Sequence, residues 1–331
     1  MRSWRALLVA ALVLALGAAS AAVWWLERPL PLTRDTVELS VEPGTPPREV
    51  AQGWVRAGID TSPWLLYQWF RWSGHARAIR AGSYEVERGI TPRGLLDKMV
   101  RGDEVLQTVR LSEGWTFRQF RNELERAPSL KQTLAGVPDA AVMAAIGASG
   151  VAPEGRFFPD TYAYSKGASD KAVLARAYGA MQRHLAAAWA ERRADLPLRS
   201  PDEALTLASI VEKETGVESD RGKVAAVFLN RLRAGMPLQT DPSVIYGLGT
   251  NYDGKLHKRD LLSDTPYNTY TRPGLPPTPI AMPGRAALLA SVRPEDTRAL
   301  YFVSRGDGSS EFSDSLAQHN RAVDKYQRGG K

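Results

Sequence analysis

The chain has 331 residues, 44% of them hydrophobic, enough to bury the cores of two domains, and its net charge is +7. The basic residues are spread along the chain, with no arginine-rich tract or nucleic-acid module, so no nucleic-acid partner is expected; anionic lipid or anionic wall polymer suits the charge. There is no cysteine, which excludes disulfides and thiolate chemistry. His75, His184, His257 and His319 stand apart without ligand spacing, and neither a metal nor a cofactor is expected.

Residues 1–5 carry two arginines, which place that end on the cytoplasmic side of a membrane. Ala6 to Leu26 then run without a charge for long enough to cross a bilayer core, with Trp24 and Trp25 where an interfacial aromatic belt would lie. A signal peptide would be cut among the small residues Ala18 to Ala22, but the apolar run continues through Leu26, which favours an uncleaved single-pass anchor. Residues 27–34, with two prolines, read as a short extended linker.

Residues 35–127 repeat one local grammar of strand, glycine turn and proline- or threonine-started helix. The first copy runs through Val37–Val41 and a helix ending near Gly58, the second through Tyr84–Val86 and a helix over Leu95 to Val100. A weaker third runs through Val105–Leu111 and a helix over Phe120 and Leu124. Trp64, Trp69 and Trp72 lie between copies and are expected in a core.

In residues 128–331, Glu154 to Tyr162 form a compact turn dense in aromatic and acidic residues, and Lys171 to Arg193 a long amphipathic helix. The segment on which the chain turns is 200–216. Ser200 can cap a helix, Pro201 suits its first position, Glu203 can close a capping box and Gly216 can stop it. Leu205, Leu207, Ala208, Ile210 and Val211 make that helix apolar on nearly every side, so it belongs in a core. Glu212 lies one turn past Ala208 and two past Leu205, on their stripe. A carboxyl there resists ionisation, as a general acid near neutral pH must, and Glu212 is the candidate proton donor. The plain reading of Glu212, Glu214 and Glu218 alike is a solvent-facing carboxylate; the surrounding motifs shift the odds.

Ser219 can cap a second helix over 220–234, ended by Gly235. Met236 to Gly247 reads as a polar loop returning from that helix pair, a place where sites are built. Tyr267 to Tyr270 and the proline-rich stretch from Pro273 to Ile280 set rings beside amides, as a sugar cleft requires. A strand over 299–303, a turn at 305–308 and a last helix containing His319, a packed or capping residue, complete an α+β chain: anchor, repeat module, and a mixed domain around a buried helix.

Five stretches in order resemble the YceG-like (MltG) family of endolytic murein transglycosylases: Leu207–Thr215, Phe228–Leu232, Leu238–Gly247, Tyr267–Tyr270 and Gly274–Pro277, within a likeness spanning about 37–327. Ser243 stands where threonine is frequent and Thr278 where glycine is frequent. The resemblance implies a LysM-like character for 35–127 and a catalytic domain over 128–331. It also implies a bacterial inner-membrane location with that domain outside the cytoplasm, and work on nascent glycan strands beside membrane-bound peptidoglycan synthases. The implied reaction cuts the β-1,4 bond between N-acetylmuramic acid and N-acetylglucosamine without water, leaving a 1,6-anhydromuramyl end, and the family's glutamate is placed on Glu212. Asn230, Gln239, Thr240, Asp241, Tyr267, Asn268, Thr269 and Tyr270 are the candidate sugar-binding residues. A muramidase using Asp241 or Glu214 as second carboxylate, and a tethered non-catalytic glycan binder, are the alternatives.

Overall fold

The computed structural model describes residues 2–329, without the side chains of residues 2, 3 and 5–8; of the stretch read as a cytoplasmic terminus, residue 1 lies outside the described residues and only Trp4 has a described side chain. The chain divides into two compact units, Met1–Gln107 with Ala163–Ala168, and Thr108–Tyr162 with Ser169–Lys331. The mixed α+β expectation holds, and the apolar N-terminal stretch is helical.

In the first unit, α1 (Arg2–Glu27) includes a segment, Val9–Glu27, long and apolar enough to cross a membrane. The residues after it are pinned rather than slack. Leu30 is 5% exposed, its N–H donates to Ile90 O, Leu32 bridges Ile59, and Asp60 N–H donates to Pro31 O. β1 (Thr36–Val41) pairs antiparallel with β2 (Gly82–Glu87), Val37 opposite Val86 and Leu39 opposite Tyr84. Three helices cover this ladder: α2 (Pro47–Ala57), α3 (Pro63–Trp72) and α4 (Pro92–Arg101), each opened by the proline whose fixed φ suits the first turn. Trp54, Leu66, Phe70, Leu95, Leu96 and Met99 fill the core between them. The tryptophan expectation fails in part. Trp69 is half-buried and donates to Pro92 O at 3.0 Å, but Trp64 is 60% and Trp72 74% exposed, because α3 spends its buried face on Leu66 and Phe70.

β3 (Leu106–Leu111) and β4 (Asp160–Ser165), in which the chain passes between units, pair with each other. The helix of the third copy, α5 (Phe117–Arg126), lies in the larger unit and starts with a full capping box of Thr116 and Gln119. After the short α6 (Asp139–Ala145), α7 (Asp170–Ala190), α8 (Pro201–Glu214) and α9 (Glu218–Arg233) form the body of that unit. α10 (Asp241–Leu248), α11 (Lys258–Leu262) and α12 (Arg285–Val292) follow, then the hairpin of β5 (Tyr301–Ser304) and β6 (Ser310–Ser313), and α13 (Leu316–Val323).

The helix α8 is the core element the sequence announces. Every residue from Ala204 to Val211 is buried, against α7, α9, α10 and α12. Ser200 Oγ accepts from Glu203 N–H as expected, but the Glu203 carboxylate reaches back to Arg199 N–H instead of closing the box on Ser200. The helix stops at Glu214, ahead of Gly216, with Thr215 already extended. α9 starts at Glu218 after Val217 without a side-chain cap, which leaves Ser219 inside the helix. Half of the expected polar loop is helical: Asp241–Pro242 opens α10, the proline sitting in its first turn where no N–H is needed.

Candidate active site

α8 ends in two carboxylates two residues apart, and successive helical residues turn by about 100°, so Glu212 and Glu214 point to opposite sides. Glu212 accepts from Gly284 N–H at 2.9 Å, and Gly284 is the residue that opens α12. A carboxylate at that position satisfies a donor the helix cannot use and meets the positive end of its dipole. The fit is close: a side chain at 284 would run into the Glu113 carboxyl, whose charge also acts on Glu212. Burial raises the Glu212 pKa, opposed by the Gly284 hydrogen bond.

Glu214 faces the predicted motifs. Its Oε1 accepts from Thr240 Oγ1 at 2.5 Å. Thr240, 1% exposed, is held by Thr269: its N–H donates to Thr269 Oγ1 at 3.0 Å, and Ser243 Oγ lies 2.9 Å from that same hydroxyl and donates to Thr240 O. The hydroxyl of Ser243 thus keeps a function that threonine would serve equally. Next to Thr240, Gln239 has φ 52, a left-handed conformation unusual for a side chain of its size, and donates its N–H to Thr269 O. Strain of this kind persists only where the surroundings hold it, and it concentrates at working sites. The Gln239 side chain is exposed. Asp241 opens α10 and accepts from Tyr270 OH at 2.5 Å.

The electrostatics of Glu214 follow from these neighbours. Burial raises its pKa, the Thr240 hydrogen bond lowers it, the Asp241 charge raises it and the Arg231 charge lowers it. Arg231 is 8% exposed, and its guanidinium is occupied with Leu300 O and Leu238 O. Glu214 itself stays half-buried. A carboxyl biased towards its neutral form can give up a proton and take one back.

Other expected sugar contacts are committed to the protein. Asn268 is fully buried; its amide N–H groups donate to Asp260 O, Leu261 O and Ser263 O, and its Oδ1 accepts from Tyr270 N–H. Asn230 donates to Thr297 O and Ala299 O and accepts from Arg233. These two residues, with buried Thr269, shape loops rather than offer polar groups to a ligand. Tyr267 stands elsewhere, in a cleft of about 600 Å³ bordered by Thr116, Gln119, Tyr246, Tyr252 and Thr278. Its ring meets Tyr246 edge-on at 4.8 Å and its OH lies 2.8 Å from Thr278 Oγ1.

In the floor of that cleft is a residue the sequence reading did not single out. Glu154, 7% exposed, accepts from Phe117 N–H at 3.0 Å and from Tyr246 OH at 3.1 Å. Burial pushes its carboxyl up to about 7, against the pull of those two hydrogen bonds. The sequence carries no local signal for its burial: Asp160, beside the same aromatics, is exposed.

A buried helix that ends in two carboxyls biased towards their neutral forms, on an α+β scaffold, suits acid–base chemistry. The chain belongs to the YceG-like family, whose model matches residues 39–325. A Bacillus subtilis protein named endolytic murein transglycosylase is 47% identical over 122 residues, 37% of this chain and 34% of that protein. A Streptococcus pneumoniae protein of the same name is 24% identical over 323 residues, 88% of this chain and 58% of its own length. This chain therefore spans about one to three fifths of the curated relatives it matches. Among solved structures, a YceG-like protein from Listeria monocytogenes superposes with a TM-score of 0.56 at 26% identity, covering 87% of this chain and 98% of that one.

Proposed function

We propose that this chain is a lytic transglycosylase of peptidoglycan, tethered to the bacterial inner membrane by α1 with its larger unit outside the cytoplasm, and that its acid is Glu214 rather than Glu212. The reading takes its substrate class from the relatives' name, endolytic murein transglycosylase. The observation that carries the choice of acid is the Thr240–Glu214 hydrogen bond: Thr240 is fixed by Thr269 and followed by Asp241, which Tyr270 holds, while Glu212 accepts from Gly284 N–H at the start of α12.

In this mechanism neutral Glu214 protonates the oxygen between N-acetylmuramic acid and N-acetylglucosamine as the bond from C1 breaks. The resulting carboxylate takes the proton of the muramyl 6-hydroxyl, whose oxygen closes on C1. No water enters, and the proton that Glu214 gave is restored. Because the nucleophile belongs to the same sugar, positioning replaces a second carboxylate. Asp241, held by Tyr270, keeps Glu214 protonated and opposes the positive charge growing at C1. The strand–helix unit, in the LysM-like role the resemblance implies, would hold or space glycan near the membrane, where synthases release it.

The test is mass spectrometry of glycan strands digested by the full chain and by Glu214→Gln and Glu212→Gln. Products one water lighter than hydrolytic fragments, lost with Glu214→Gln and kept with Glu212→Gln, support the proposal. Reducing-end products would favour the muramidase, with Asp241 as the nearby second carboxylate. The reverse pattern of the two variants would return the acid to Glu212.

A further inference from the structure

The smaller unit exposes an apolar helix face that its own fold does not cover. On α3 the exposed Trp64, Leu65 and Trp72 and the half-exposed Gln68 fall within about 100° of one another around the helix axis, opposite the buried Leu66 and Phe70. Such a stripe is more than the scattered surface hydrophobes of an ordinary domain. The chain around it is basic as well: from Thr61 to Tyr84 there are three arginines, Arg71, Arg77 and Arg80, all exposed, and no carboxylate.

The position of α3 relative to α1 is fixed within this unit. Trp25, in the last turns of α1, packs on the same core as Leu66 and Phe70, and Glu27 pairs with Arg93 of α4. Pro31, four residues past the end of α1 and so within about 14 Å of it, accepts from Asp60 N–H at 2.9 Å. α3 begins three residues after Asp60. There is no free linker between the end of the apolar helix and the helix bearing the tryptophans. At the same level Trp24 is 61% exposed, with the Arg28 guanidinium 4.8 Å from its ring centre, an aromatic–cation pair suited to lipid headgroups.

We propose that α3 is a second membrane contact: Trp64, Leu65 and Trp72 sit at the headgroup–acyl boundary of the bilayer that α1 crosses, and Arg71, Arg77 and Arg80 pair with anionic headgroups. Tryptophan on one face with arginine beside it and no acid is the composition of a helix lying in an interface. Two such contacts hold the unit against the membrane surface, where α1 alone would leave it free to tilt. A sugar-stacking role fits Trp72 less well, since glycan sites are concave and it stands 74% exposed on a convex helix; Trp64 does border a hollow of about 360 Å³ with Arg48, Gln52 and Tyr67, so glycan is kept as an outcome of the test.

The inference rests on α1 being an anchor, and its test separates the two. The chain has no cysteine, so Gln68→Cys places a single thiol between the two tryptophans, and Glu42→Cys, exposed in the same unit, serves as control. The full chain is reconstituted in phosphatidylglycerol/phosphatidylcholine vesicles and labelled with an environment-sensitive dye. The expected result is co-flotation with the vesicles, blue-shifted emission at position 68 quenched by lipid-borne nitroxide, and water-like emission at 42. Adding Trp64→Ala and Trp72→Ala should abolish the quenching at 68 while flotation persists. Flotation with water-like emission at 68 overturns the α3 contact and leaves the anchor standing. Loss of flotation overturns both, and a shift at 68 that requires added murein rather than lipid assigns the face to glycan.

Discussion

Glu154→Gln isolates the energetics of the buried carboxyl in the aromatic cleft. The amide is nearly isosteric; its oxygen can accept from Phe117 N–H, and its NH₂ can donate to the Tyr246 oxygen, so packing and both contacts survive. What changes is the proton. In the unfolded chain Glu154 ionises near its ordinary value of 4.5, and in the folded chain burial holds it protonated up to about 7. Between those values the folded state binds more protons than the unfolded one, so the stability due to this group is complete below 4.5 and is lost as pH rises through about 7. The interval corresponds to roughly 3 kcal/mol for a group this buried. Urea denaturation of the full chain and the variant in the same detergent, followed by near-UV circular dichroism from pH 4.5 to 8, should show the wild type losing about that much relative to Glu154→Gln. Parallel curves for the two proteins would refute the claim that burial holds this carboxyl neutral.

Asp241→Asn removes a charge that keeps Glu214 protonated, so the alkaline limb of its pH–activity profile should move to lower pH; Thr240→Val removes a hydrogen bond that favours the ionised form and should move the limb to higher pH. Opposite shifts, measured as turnover of glycan strands, identify Glu214 as the titrating acid; equal shifts or none would deny it that role. Glu212→Ala should cost about 1–2 kcal/mol in denaturation, by leaving Gly284 N–H without its charged acceptor, and retain most activity. Gln239→Gly relieves a left-handed backbone and should raise stability by roughly 0.5–1 kcal/mol, while lowering turnover through loss of the exposed side chain next to Thr240.

The elements with strong local signals were legible. The capped run from Ser200 to Val211, apolar on nearly every side beyond Glu203, reads as a buried helix, and the strand–turn–helix copies gave β1, β2, β3 and their following helices. What failed depended on competition between partners of similar local merit. Glu203 could have bonded Ser200 N–H but found Arg199 N–H; Asp241–Pro242 makes a turn or opens a helix with equal local propriety, and packing on α8 selected the helix. The tryptophans of α3 were assigned to a core by residue type, yet a helix has one buried face, and Leu66 and Phe70 occupy it.

The choice between the two glutamates that end α8 meets the same limit. Glu212 and Glu214 share the last turn of one helix, and the stripe argument that favours Glu212 is sound as far as it goes: the residue is half-buried and its pKa is raised. Burial alone does not make a site, however, because the start of a helix also wants a carboxylate, and Gly284 supplies one 72 residues later in the chain. Glu214, one residue before the chain turns extended, follows Ile210 and Leu207 as Glu212 follows Ala208 and Leu205, so periodicity alone does not choose between them. Its hydrogen bond from Thr240 depends on Thr269 and Ser243, which lock Thr240 in place, and on Asn268, which ties the preceding loop into shape. The motifs read as sugar contacts are, in large part, the means by which one hydroxyl is brought to one carboxyl. A polar motif shared by distant segments therefore marks the neighbourhood of a site more reliably than it marks the groups that touch a ligand.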